Sequence, residues 1–145
     1  MAMGPTSRTK LLQLLFHNDA WELVGDASGL QPSAAAGSFY VALHTGDPSA
    51  GEQTTSEAAY TGYARVAVGR IAGNWTIVLN AISNTNAVQF AECTAGTSLV
   101  THFSVGTALS GAGTVIYSGS LSAGRSISAG ITPLFNAGAL QGTAT

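Results

Sequence analysis

From residue 39 onward, short apolar runs alternate with clusters of Gly, Ser, Thr and Asn at intervals of about ten residues, the pattern of a chain of short strands. Residues 39–44 are rich in aromatic and branched side chains and stop at Gly46, Asp47 and Pro48. Residues 63–68 alternate Tyr63, Arg65 and Ala67 against Ala64, Val66 and Val68, which predicts a half-buried strand. Further runs fall at 75–79, 87–90, 99–105, 114–121, 125–128 and 131–140. Ser110, Gly111, Ala112 and Gly113 predict a hairpin turn between two of them, because glycine enters the positive-φ conformations that tight turns require.

The start of the chain has a different period. Thr6 or Ser7 could cap a helix just after Pro5, and Leu11, Leu14, Leu15 and Asn18 follow at helical spacing, with Leu12 and Phe16 widening the apolar surface beyond one stripe. Residues 25–37 are a loop by composition and separate this helix from the strands. The expected architecture is all-β: a single sandwich, jelly-roll-like, over residues 31–145, with a short N-terminal helical arm over residues 1–30.

Composition shifts this picture toward assembly. Charged residues make up 8% of the 145 positions and the net charge is −2, whereas 46% are hydrophobic, so the chain lacks the profile of disorder. Beyond Glu92 the one charged side chain is Arg125, and a surface so poor in charge suits a protein packed against copies of itself or a larger structure. Five basic residues scattered along the chain leave no footprint for nucleic acid. No run approaches a membrane span, and residues 11–16 are too short and too interrupted for a secretion signal. Cys93 has no second thiol for a disulfide and reads as a small buried hydrophobe, in a chain made in a reducing cytoplasm.

Motifs for chemistry are sparse. His17, His44 and His102 lie on separate elements without metal-ligand spacing, and Asp47, Glu52 and Glu57 share one polar loop without the dense acidic pattern of a calcium site. Ser110 lacks the upstream glycine of a nucleophile elbow, and Gly69, Arg70 and Gly73 are too sparse to cradle phosphate. No cofactor, metal or small-molecule substrate is expected, and no catalysis. Arg65 and Arg70, on a weakly charged sheet, are candidates to anchor a neighbouring subunit, since arginine offers a planar set of donors. Tyr60, Tyr63 and Trp75 are the one aromatic set that could serve as a platform for glycan.

The strand and turn at residues 39–48 (FYVALHTGDP), the stretch EAAYTGYARVAV at 57–68, Trp75, and the end GITPLFNAGAL at 130–140 together resemble a family of small tailed-bacteriophage virion proteins. The resemblance covers residues 39–140 and implies a virion structural role; such proteins are commonly labelled tail fibre proteins, and others of this size are capsid cement or decoration proteins. The segment at residues 6–30 is longer and more apolar than that pattern. The favoured expectation is a non-enzymatic cement protein, dimeric or trimeric, clamping major capsid proteins on the outer head surface. Leu11, Leu14, Leu15, Phe16, Asp47, Arg65 and Arg70 are its candidate contacts. The alternatives are a tail fibre or baseplate component and, from another class, a carbohydrate-binding module.

Overall fold

A computed structural model describes all of residues 1–145. The chain is all-β, built from several antiparallel sheets with one short N-terminal helix, as the strand pattern predicts. Two compact units form: Met1–Gly37, Gly69–Ala87 and Phe135–Thr145 make the first, and Ser38–Val68 with Val88–Leu134 the second.

In the first unit, helix α1 (Pro5–Leu12) begins at Gly4, with Pro5 in its first turn, so neither Thr6 nor Ser7 is the cap. Proline suits this place because its missing N–H would have had no partner there and its φ is already helical. A π-helical turn, Gln13–His17, follows directly and ends at Asn18, which adopts the left-handed conformation with φ 59°. The extra residue per turn shifts the helical phase. Leu12 and Phe16 become the buried pair, and Leu11, Leu14 and Leu15 stay half-buried.

Within the same unit, β3 (Trp75–Val78) pairs with β4 (Ala81–Asn84) through a two-residue turn, and β4 pairs with β9 (Gln141–Thr143). Trp75 is buried and meets Phe16 edge-on, with ring centroids 4.9 Å apart, which joins helix to sheet. His17 donates from Nε2 to the Trp75 carbonyl at 2.7 Å, and the Thr9 hydroxyl donates to the Leu79 carbonyl at 2.7 Å. Strands β4 and β9 were not expected. Ile82 is the one large apolar residue in β4, and the strand is fixed by Asn84, a buried amide that donates to Asn86 and Asn136 carbonyls and accepts from the Leu140 N–H.

The second unit is organised by a sheet in the order β2-β1-β6-β7. Here β1 is Ser38–His44, β2 is Val66–Gly69, β6 is Thr97–Gly106 and β7 is Val115–Ser128. The two runs expected at 114–121 and 125–128 are one strand. Its register against β6 jumps from Ser120 opposite His102 to Arg125 opposite Val100, so residues 121–124 bulge out facing Thr101 alone. Two short strands, β5 (Val88–Gln89) and β8 (Leu134–Phe135), complete the set. Phe39, Val41, Leu43, Val100, Phe103 and Val105 supply the apolar core of the β1–β6 ladder.

Candidate functional site

The strand expected at residues 63–68 is displaced to Val66–Gly69; Tyr63 and Arg65 lie in the loop before it, half-buried and buried, and the alternation ends there, since Ala67 is exposed. The Arg65 side chain is 2% exposed and its guanidinium forks onto Glu57, Nε donating to Oε1 at 2.7 Å and Nη2 to Oε2 at 2.8 Å. Nη1 donates to the Ala108 carbonyl and Nη2 to the Gly111 carbonyl, each at 2.8 Å, with a longer contact of 3.5 Å from Nη1 to Gln53 Oε1. An arginine has five N–H donors, and all are engaged inside the unit. The carboxylate beside it holds the guanidinium further in its charged form. Arg65 thus ties the loop before β2 to the turn between β6 and β7. This leaves no free donor for a neighbour, and what that turn presents outward is Leu109, an exposed leucine.

Around this pair the polar groups are matched one to one. Tyr63 donates its hydroxyl proton to Glu57 Oε1 at 2.8 Å and accepts the Leu43 N–H at 3.1 Å. Burial, reinforced by the Glu57 contact, pushes the Tyr63 hydroxyl well above the ordinary phenol range. Gln53 is fully buried and reaches across the unit, donating from Nε2 to the Tyr40 carbonyl at 3.0 Å and accepting the Ala108 N–H at 3.0 Å. It runs close beside Gly106 and Gly113: a Cβ on Gly106 would lie 2.2 Å from Gln53 Cδ, and one on Gly113 2.4 Å from Gln53 Oε1.

His44 extends the network. Its Nδ1 lies 2.8 Å from the Thr55 carbonyl, which can only accept, so that nitrogen carries the proton; Nε2 then accepts from the Ser104 hydroxyl at 2.8 Å. A serine held against a backbone-oriented imidazole has the hydrogen bonding of an activated nucleophile. Both residues are 0% exposed, however, so no substrate reaches the hydroxyl, and the pair acts as a buried strut between β1 and β6. Burial lowers the His44 pKa below its ordinary value near 6.5. The unfolded chain therefore takes up this proton first as pH falls. The stability tied to neutral His44 is present above pH ~6.5 and is lost as pH drops from there toward the folded-state pKa. The melting temperature should be level near neutrality and decline below pH ~6.5. Thermal melts of the wild type and His44→Gln across that range test this, and an equal slope in both would discard His44 as the cause.

The other candidates sit as follows. Asp47 is exposed, and its Oδ1 accepts the Ser49 N–H at 2.8 Å, closing a turn over buried Pro48. That bond, the largest influence on the carboxyl, lowers its pKa. Arg70, in the first unit, reaches the end of the helical segment. It donates to the carbonyls of Leu14 and Leu15, groups that helix geometry leaves without partners, and to Ala36 O at 3.1 Å and Asn18 Oδ1 at 3.3 Å. It is a cap for the helical segment. Leu11, Leu14 and Leu15 keep partial exposure, and Phe16 is 1% exposed.

Of the aromatic platform, Tyr60 and Trp75 are buried, and Tyr63 stacks on Phe90, which removes the surface a sugar ring would need. His17, His44 and His102 are not gathered: no group of three or more His, Cys, Asp or Glu side chains could hold a metal ion. No helix is long and apolar enough to cross a membrane. Sequence reasoning missed Gln53, Glu57 and Ser104 as partners in the buried network. Glu57 and Arg65 lie eight residues apart across a turn, with no local periodicity to link them. Ser104 meets His44 only through the β1–β6 register.

In the second unit the geometry is that of a buried polar network, centred on Arg65 and Glu57, whose donors and acceptors are matched within the unit. Among curated proteins nothing matches the chain. A family model described as Podophage GP4 fiber I protein gp80 matches residues 6–143. The chain belongs to that family of phage structural fibre proteins.

Proposed function

We propose that this protein is a non-enzymatic fibre component of a tailed-phage virion, present in several copies that contact one another. The observation that carries this reading is the fibre-family match over residues 6–143, which includes the helical segment as well as the strands. The buried network is in keeping with it: Arg65, Glu57, Tyr63 and His44 serve to hold loops in place, and exposed apolar residues such as Leu79, Leu99 and Leu109 remain for contacts between chains. Repetition would let individually weak contacts hold under load, because each bound copy raises the effective concentration of the next.

The capsid cement role, in which copies would bridge major capsid proteins on the outer head surface, predicts a different place and a different copy number. Heads and tails separated from disrupted virions can be quantified by mass spectrometry against the major capsid protein. A small copy number travelling with the tails is expected. Hundreds of copies retained on heads would replace the fibre reading with the cement one.

A further inference from the structure

The first unit is assembled from separate stretches of chain, of which Met1–Gly37 is one. After Gly37 the chain passes into β1 of the second unit, so residues 1–37 have a single covalent tether and are held in their own unit chiefly through side chains. Residues 70–79 form the seat. Phe16 packs edge-on against Trp75, His17 Nε2 donates to the Trp75 carbonyl, and the Thr9 hydroxyl donates to the Leu79 carbonyl. Arg70 donates to the carbonyls of Leu14, Leu15 and Ala36. Isolated helices shorter than about 12–15 residues are marginal in water, so the segment Pro5–His17 depends on this seat for its helical form.

The connector, residues 19–36, belongs to no strand. Trp21 and Leu30 exchange N–H and carbonyl at 2.9 Å, and the Asn18 side chain clamps both the N–H and the carbonyl of Ser33 at 2.9 Å. Every residue from 22 to 35 except Gly29 is exposed. The connector is thus folded on itself, and drawing it out uncovers little buried surface. Extended, it reaches about 60 Å at about 3.3 Å per residue.

We propose that, where copies are crowded, the helical segment of one copy leaves its own seat and occupies residues 70–79 of a second copy, which returns its own helix. The contacts themselves select a second copy as the occupant. A seat fitted by Thr9, Phe16 and His17 of one chain is fitted identically by the same residues of another. Each contact given up is made again across the pair, so exchange costs little beyond the Asn18–Ser33 clamp and the freedom of the second chain. Against it stands the effective concentration of the tethered helix, about millimolar for a flexible connector. Copies held side by side in a fibre approach that value, and exchanged helices then link neighbours without any new surface.

This proposal rests on the fibre reading for its crowding and deepens it by naming how copies join. Isotope-labelled and unlabelled chains are mixed, incubated at roughly 1 mM, and separated by size-exclusion chromatography. A dimer fraction is expected, and isotope-filtered NOE spectra of it should connect the Phe16 ring of one copy to the Trp75 indole of the other, a contact of 4.9 Å between centroids. Asn18→Gly removes the clamp while glycine accepts the left-handed φ of 59°. It should raise the dimer association constant about fivefold or more, with the circular dichroism of the monomer unchanged. Wild type and Asn18→Gly that both stay monomeric at roughly 1 mM overturn the exchange. So does a dimer in which the Phe16–Trp75 contact stays within each chain. Neither result touches the fibre reading, which the virion fractions decide.

Discussion

Replacing Arg65 by methionine should destabilise the protein by about 3–5 kcal/mol, the range for removing one partner of a buried ion pair. For a chain of this size that is a fall in melting temperature of about 10–15 °C. The size of the effect comes from what is left behind. Glu57 would keep a carboxylate whose side chain is 19% exposed, with the Tyr63 hydroxyl as its remaining donor among the contacts described above. The carbonyls of Ala108 and Gly111 would lose the donors that hold the β6–β7 turn. Arg65→Lys should recover only part of the loss, since an ammonium keeps the charge but cannot fork onto both carboxylate oxygens while reaching two carbonyls. Urea titration of the three proteins measures the differences. A loss under about 1 kcal/mol in Arg65→Met would show that the pair behaves as a surface ion pair and that the network is incidental.

Trp75→Ala should be as damaging, about 3–5 kcal/mol, through a cavity in the first unit. Trp75 is 2% exposed and is the side chain against which Phe16 packs, so its removal takes away the apolar seat of the helical segment as well as the strand's own core contact. Its indole Nε1 is buried without a hydrogen-bond partner. Trp75→Phe therefore loses area but no hydrogen bond, and should cost well under half as much as alanine. Hydrogen exchange at residues 5–17 reads the local consequence: faster exchange in Trp75→Ala than in Trp75→Phe is expected. Equal protection of those amides in wild type and Trp75→Ala would refute the helix's dependence on this contact.

Periodicity and turn residues made much of the fold legible, because β1 and β6 bury apolar side chains at strand spacing, β3 carries the buried Trp75, and Gly or Asn follows soon after each. β4 escaped notice because Asn84, a polar residue, does the bonding that an apolar one does elsewhere. β9 escaped because three residues, Gln141–Thr143, leave no period to detect. The runs on either side of residues 121–124 looked like two strands, since a bulge and a turn share the same small residues. Arg65 shows the deeper difficulty. Its alternation with Ala64 and Val66 suggested a strand, whereas Arg65 lies in the loop before β2; charge by itself says only that a partner is needed, and Glu57 is supplied by the fold. Arg70 illustrates the same point with carbonyls for partners, which no side-chain pattern records.

Gln53 has a consequence for how relatives of this chain can diverge. Because its side chain occupies the space where Cβ atoms at 106 and 113 would stand, neither glycine can change while the glutamine remains, and the glutamine cannot be shortened without opening a void and stranding the Tyr40 carbonyl and Ala108 N–H. The three positions are therefore expected to change together or not at all. Descendants can leave that set only by passing through a damaged intermediate or by altering several codons together, so this corner of the protein is expected to age more slowly than the exposed strand beside it.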